Sequence, residues 1–251
     1  MDGLERSAIA HAGLAFQNPL NEKEVDALIE RLPLEAAARV VDVGCGKAEL
    51  LIRILERHDV SAVGIDLSPY FLAEAREEAS RRLSGARLEL READAARARF
   101  EPESFDLAIA VGAGGIWDRY GTALRELARL VPPGGHLLLG EGYWRREPSA
   151  AYLEALGAER EELADREGLV AAAREVGLEL VEALESSEAD WERYERRWAE
   201  NGERWAAEHP GHPPREELLA WIRNGRDRFE RLGGRETLGF GLFLFRKRRS
   251  G

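Results

Sequence analysis

The sequence predicts an α/β fold in which a mostly parallel sheet carries helices on both faces. Two observations lead there. Short apolar runs bounded by glycine, proline or charge alternate with longer segments of helical period. The first of these runs ends in a glycine-broken turn that opens a helix. Strict β-α alternation of this kind places parallel strands at the centre and helices outside them.

Asn21 is placed to cap a helix, with Glu24 completing a capping box, and Val25, Leu28, Ile29 and Leu32 follow at helical spacing until Pro33. Arg39 to Val43 reads as a buried strand, broken by Gly44-Cys45-Gly46. Leu50, Leu51, Ile54 and Leu55 mark one face of the next helix. Ala62 to Ile65 is a second strand, after which Ser68 and Pro69 cap and open a helix running to about Leu83. In Arg87 to Glu92, Leu88 and Leu90 alternate with charge as in a third strand. Phe105 to Val111 is an apolar fourth strand, Tyr120 to Val131 a helix, Pro132 to Gly135 a turn, and His136 to Gly140 a fifth strand. Tyr152 to Val176 reads as helical, in one piece or two. Leu178 to Leu184 and Leu238 to Arg246 are the remaining strands. Between them Ser186 to Arg235, rich in charge, Trp and Tyr, reads as two or three inserted helices. No repeat or low-complexity linker interrupts the chain. A single domain over 1–251 is therefore expected: an N-terminal cap over 1–35, a core over 36–185 and 236–251, and a helical insertion or lid over 186–235.

Composition narrows the function. The 251 residues are 44% hydrophobic and 33% charged, ordinary for a chain with a well-filled core. No apolar run reaches the ~18 residues that a membrane span needs. Met1 to Leu20 lacks the basic-then-apolar order of a signal peptide, so a cytoplasmic location is expected. The single cysteine, Cys45, leaves neither an internal disulfide nor a site of several thiolates. The histidines are dispersed, and no metal is expected; His209 and His212 flank a Pro-Gly turn as loop residues. A formal charge of −11 argues against a nucleic-acid partner, since phosphate binding rests on Lys and Arg. The basic run Arg246 to Arg249 reads as a solvated tail. Composition gives no oligomeric state.

The chemistry is carried by Val40-Val41-Asp42-Val43-Gly44-Cys45-Gly46, a strand ending in D-x-G-x-G. Glycines there let the backbone turn sharply and leave room for a ligand, and the turn is expected to aim free N–H groups at it. Asp66, about twenty residues on at the end of the second strand, is spaced to accept both hydroxyls of a ribose. An adenosine-containing cofactor follows, and NAD and S-adenosylmethionine (SAM) both satisfy it. Glu49 stands where a dinucleotide fingerprint has its third glycine, and a carboxylate opening a helix would repel a pyrophosphate. Asp42 occupies a position that is apolar in NAD sites. Both details favour SAM.

These segments, with Gly64-Ile65-Asp66-Leu67-Ser68, Glu92-Ala93-Asp94-Ala95, Phe105-Asp106-Leu107 and Leu130-Val131-Pro132-Pro133-Gly134-Gly135, resemble successive motifs of class I SAM-dependent methyltransferases, in order, over about residues 36 to 145. The resemblance implies a Rossmann-like seven-stranded sheet with an antiparallel last strand, SAM as cofactor and S-adenosylhomocysteine (SAH) as product. It implies that Gly44 and Gly46 line the methionine end and that Asp66 holds the ribose. Asp94 would meet the adenine amino group, Ala95 the ring edge, and Gly112 and Ala113 the sulfonium. Asp42, Cys45 and Leu67 complete the implied cofactor lining. One departure is Ala48, where many members have a further glycine. Cys45, with no histidine beside it, is expected to pack as a small apolar residue rather than act as a nucleophile.

The acceptor crevice of a parallel sheet lies beyond the carboxyl ends of its strands. The residues after the fourth and fifth strands are therefore the candidates: Trp117 and Asp118, then Glu141, Tyr143 and Trp144. Glu141 is expected as a base and Tyr143 as an orienting group, with Trp117 and Trp144 as substrate contacts; alternatively Glu141 only binds a backbone amide or an arginine. Val111-Gly112-Ala113-Gly114-Gly115 carries neither the Asn/Asp-Pro-Pro-aromatic motif of amino-methylating DNA enzymes nor the cysteine of pyrimidine-carbon enzymes. A small-molecule acceptor, methylated at oxygen or nitrogen, is expected. The alternatives are an NAD-dependent oxidoreductase and a non-enzymatic SAM- or SAH-binding module that recruits a protein partner. Trp191, Tyr194, Trp198, Trp205, Trp221 and Phe229 either dock the insertion on the sheet or, with Phe16 to Leu20, close a lid over the substrate.

Overall fold

The structure, a computed structural model, describes residues 1–85, 87–117 and 120–249. Strands β1 (Arg39–Val43), β2 (Ser61–Asp66), β3 (Arg87–Glu92), β4 (Leu107–Val111) and β5 (His136–Trp144) run parallel. Strand β7 (Leu238–Lys247) lies antiparallel between β5 and β6 (Leu178–Glu185), giving the order β3-β2-β1-β4-β5-β7-β6. The central strands are covered on both faces, which is why β1 and β4 read as continuous apolar runs rather than alternating ones. The chain reverses direction across the sheet between β1 and β4, and a crevice opens at the carboxyl ends of those two strands.

On one face lie α2 (Glu22–Glu30), α3 (Glu49–Arg57) and α4 (Pro69–Arg82), whose apolar stripes share a core with Val40, Ile109 and Leu138. On the other lie α5 (Tyr120–Leu130) and α7 (Arg166–Glu175), packed on Val41, Val43, Phe243 and Phe245. Full burial of a side chain such as Phe243 or Phe245 contributes about 1.5–3 kcal/mol. The expected cap of α4 is present, with Ser68 Oγ accepting the Phe71 N–H at 3.3 Å and Pro69 in the first turn.

The inserted helices α8 (Glu188–Glu208) and α9 (Arg215–Glu230) form an antiparallel pair between β6 and β7, followed by the short α10 (Gly234–Thr237). They approach closely because Gly202 faces Ile222 and Gly225 faces the Trp198 ring, where a Cβ would lie 2.7 Å away in each case. Trp191 and Phe229 stack, with centroids 6.0 Å apart, and join the main core beside Phe240 and Leu242 of β7. Trp191 and Phe229 therefore dock the insertion on the sheet, whereas Trp198, Trp205 and Trp221 pack in a separate cluster.

Several boundaries differ from expectation. A helix α1 (Gly3–Ala10) precedes Asn21; its Ala10 packs in a separate cluster with Trp198, Leu218 and Ile222, a contact without local signal. Asn21 caps α2 by accepting the Lys23 N–H at 3.1 Å, without the box to Glu24. Of the two readings of 152–176, the structure shows the divided one, with α6 (Ala150–Leu156) and α7, the latter capped by Asp165. Most consequentially, β5 runs on to Trp144, because β7 pairs with it from His136↔Arg246 to Trp144↔Leu238. No helix among the described residues is long and apolar enough to cross a membrane.

Candidate functional site

The first βα turn sits at the crevice. Gly44 and Gly46 have φ of +78° and +52°, left-handed values that favour glycine. A Cβ would lie 2.8 Å from Ala113 Cβ at Gly44, and 2.6 Å from the Gln17 side-chain oxygen at Gly46. The amides of this turn are not free as expected. Gly44 and Cys45 N–H donate to Ile65 O at 2.8 and 2.9 Å, and Gly46 N–H donates to Asp66 Oδ2 at 2.7 Å. The end of the parallel neighbour β2 supplies those acceptors. Asp66 Oδ1 accepts the Ser68 N–H at 2.8 Å, so one carboxylate ties the first βα turn to the second.

Three polar atoms around this turn are buried and have no partner among the described residues: Asp42 Oδ1, Gln17 Nε2 and Glu141 Oε2. Burial pushes the Asp42 acid up to about 7, and the charge of Asp66 adds to the effect. Glu141 is the first residue of β5 beyond the last β4 pair, Val111↔Gly140. Its Oε1 accepts the Gly142 N–H at 3.0 Å, while Oε2 lies against Gly114, where a Cβ would collide with it. Burial pushes Glu141 up to about 7 against the pull of that N–H. An unsatisfied buried polar atom is costly, and several around one turn mark a place where a polar ligand binds.

The neighbouring candidates sort unevenly. Gly112 follows β4 with φ +64° and faces the Asn18 carboxamide; Ala113 borders Gly44. The Cys45 thiol packs against Gly64, and its pKa is raised by burial and by the charges of Asp42 and Asp66, which makes it a core residue. Leu67 projects into solvent, 57% exposed. The Asp94 side chain caps the turn Ala95–Arg97, accepting the Ala96 N–H at 3.0 Å. Trp117 ends the 3-10 turn after β4, partly buried against the α5 face; Asp118 lies outside the described residues. Ala48 adopts φ +54°, the left-handed value a glycine would hold without cost.

Two expectations are corrected. Tyr143 does not face the crevice: its ring lies over Gly239 of β7 and its hydroxyl donates to Glu185 of β6. Trp144 is likewise engaged elsewhere, its indole N–H donating to Arg160 O at 2.9 Å. Both sit inside the extended β5, paired to β7, rather than in a loop beyond it. Glu49 is a weaker bar to anions than its position suggested, because Arg53 and Arg82 each bind it at 2.6 Å. His209 and His212 pack on Trp205, and among the described residues no group of three or more metal-ligating side chains comes together.

The cover of the turn comes from chain positions that local pattern does not mark. Gln17, Asn18, Asp42, Gly44, Cys45 and Glu49 line a single cavity of about 30 Å³, the share of roughly one water molecule. Tyr194 of α8 donates to Gln17 O at 3.1 Å and pairs with His11 Nε2 at 2.9 Å. Asn201 Nδ2 donates to Ala10 O and Ala12 O at 3.0 and 2.7 Å. Lys47 Nζ, in the glycine turn itself, donates to His11 O at 2.8 Å. Burial lowers His11 to about 4, so it is neutral in this network at pH 7.

Comparison with known proteins closes the family question. A methyltransferase-domain family model matches residues 40–135. The chain is 30% identical to the uncharacterized protein YjhP of Escherichia coli strain K12, over 91% of this chain and 92% of that one. The YjhP structure superposes with a TM-score of 0.89 at 28% identity, covering 97% of this chain and 100% of that one. A SAM-dependent methyltransferase from Thiobacillus denitrificans, in complex with SAH, superposes with a TM-score of 0.88 at 29% identity, covering 99% of both chains. The chain belongs to the class I SAM-dependent methyltransferases. Among curated relatives, the 27-O-demethylrifamycin SV methyltransferase of Amycolatopsis mediterranei is 35% identical over 52% of this chain and 47% of that one. The matched methyltransferase domain, residues 40–135, holds the glycine turn and Asp66. The half containing α8 and α9 lies outside the matched methyltransferase domain.

Proposed function

We propose that this methyltransferase binds SAM at the crevice beyond β1 and β4 and methylates a small molecule at oxygen or nitrogen, with Glu141 as the proton acceptor. The observation that carries the acceptor side is Glu141 Oε2, buried, unpartnered, and held near neutrality where β5 outruns β4. A base poised near the working pH removes the proton that a hydroxyl or ammonium acceptor must lose.

The residues present fit SAM. Gly44 and Gly46 give a cradle that a Cβ would fill, and Asp42 Oδ1 is a buried acceptor awaiting a donor. Asp66 stands at the end of β2 with two oxygens that now hold its own loops and are available for ribose hydroxyls. Asp94 and Ala95 are read as the adenine end and Gly112 and Ala113 as the wall beside the sulfur. Bound SAM supplies an electrophilic methyl on a sulfonium. The protein's part is to hold acceptor and methyl in line, exclude water and take a proton; positioning alone is worth on the order of 7–11 kcal/mol.

Residues 1–35 and 186–235 are read as one cover over the acceptor space of a single domain, because Tyr194 and Asn201 bind the N-terminal segment directly. A small-molecule acceptor is supported by the relatives' own names, which specify a rifamycin precursor in one case and trans-aconitate in another. A net charge of −11 also suits such an acceptor better than a nucleic acid. The test is twofold. Calorimetry should show SAM and SAH binding and no NAD binding. Methyl-labelled SAM incubated with a fractionated cell extract should label the metabolite fraction. Label confined to protein or nucleic acid would overturn the acceptor class, and binding of NAD alone would overturn the whole reading.

A further inference from the structure

A groove of about 740 Å³ opens where α1, α4 and α8 meet, and none of its lining residues belongs to the cofactor or acceptor site. That is room for a small organic ligand. Ile9 and Ala73 give it apolar walls, and the rings of Tyr70 and Trp205 line it from α4 and α8. Tyr70 stands 41% exposed, a large ring with no core to fill. Aromatic faces of this kind attract cations.

The charges around the groove have the matching sign. Glu74 is compensated by Lys47, whose Nζ lies 2.7 Å away. Glu5 and Glu208 line the groove with no ion-pair partner among the described residues. Arg204, the one cation among the described lining residues, is held by the Asn201 carboxamide. Two uncompensated carboxylates thus face one guanidinium. Partial desolvation, and then the charges of Glu5 and Asp2, raise the Tyr70 phenol above its ordinary pKa, which shows a negative field at that ring. We propose that this groove binds an organic cation, an ammonium carried on an apolar body, with Tyr70 and Trp205 against it and Glu5 and Glu208 supplying the opposite charge. Helices α1 and α8 belong to the two segments read as a cover and α4 to the core, so the occupant joins cover to core.

The experiment uses three probes that share a benzyl group and differ in charge: benzyltrimethylammonium, benzyl alcohol and phenylacetate. Calorimetry on the wild type should show the cation bound at least about fivefold more tightly than the alcohol, and phenylacetate weakest. Tyr70→Ala should weaken the cation roughly two- to fivefold. The double variant Glu5→Gln/Glu208→Gln, which keeps shape and removes charge, should weaken it roughly two- to tenfold and leave the alcohol unchanged. Retained binding of the alcohol shows that the double variant is folded. Hydrogen exchange should slow on cation binding over residues 5–13 and 70–74, which places the probe in this groove. A cation bound no better than the alcohol, tighter binding of phenylacetate, cation affinity unchanged in both variants, or protection confined to other segments would each overturn the proposal.

Discussion

Asp66 Oδ2 accepts the N–H of Gly46 at 2.7 Å, so the carboxylate assigned to a ribose already holds the glycine turn in shape. Loop order at both turns thus depends on the side chain that the SAM reading also gives to the ribose. Asp66→Ala leaves the N–H groups of Gly46 and Ser68 without a side-chain partner, at about 1–3 kcal/mol each if they stay buried. SAM affinity is expected to fall at least about tenfold, with a lower unfolding midpoint. Affinity unchanged by calorimetry would remove Asp66 from the site.

At Gly46, any Cβ must adopt φ near +52° and meet the Gln17 side chain. Gly46→Ala is expected to cost about 1–3 kcal/mol in denaturant unfolding and to weaken SAM. Gly177→Ala, a left-handed position open to solvent, serves as the comparison: it carries the backbone strain without the collision, and SAM binding should survive.

The Asp42 acid, raised to about 7 by burial, gives a pH signature. The folded protein keeps a proton that the unfolded chain releases near pH 4, so stability from this group is whole below about pH 4 and gone above about 7. The slope between them is roughly 1.4 kcal/mol per pH unit. Asp42→Asn cannot titrate. Its melting temperature relative to the wild type should therefore rise from pH 5 to about pH 7 and level off above it, and a constant offset would show that Asp42 is not protonated in the folded state.

If Glu141 takes the acceptor's proton, the rate rises with pH through about 7 as the carboxylate forms. Glu141→Gln should lower kcat by about 10²–10⁴-fold and abolish that limb, with KM for SAM little changed. Equal loss in KM and kcat, with the limb retained, would reduce Glu141 to a bond on Gly142.

Tyr194→Phe removes the hydroxyl that joins α8 to His11 and Gln17. Hydrogen exchange should accelerate over residues 12–18 while the β1 and β4 amides stay protected. Unchanged exchange there would mean that the segment is held without α8.

The first strand, the glycine turn and the acid ending β2 are legible because they are local. The Val40–Val43 run, the two glycines and Asp66 declare strand, turn and acid at fixed spacing, and Ser68-Pro69 declares a helix start. The placement of Tyr143 and Trp144 is not legible locally, for a physical reason. Whether β5 stops at Gly140 or continues depends on β7, a partner from the far end of the chain, and nothing near Glu141 announces that pairing. Gln17 is read only as part of the Phe16 to Leu20 segment on the same ground. The fold lays it on Gly46, and the only sequence trace is a pair of carboxamides, Gln17-Asn18, between apolar neighbours. The neutralisation of Glu49 is only partly legible: Arg53 stands four residues on in its own helix, whereas Arg82 comes from α4.

The antiparallel β7 has a consequence for how such a protein diversifies. Glu185 ends β6 opposite Gly241, and Leu238 starts β7 opposite Trp144, so the excursion through α8 and α9 leaves and rejoins the sheet at adjacent places. An excursion with neighbouring ends can be exchanged for another without re-registering a single strand. The seven-stranded sheet, with its glycine turn, then stays constant while one cassette is replaced by another, much as a tool holder accepts different bits.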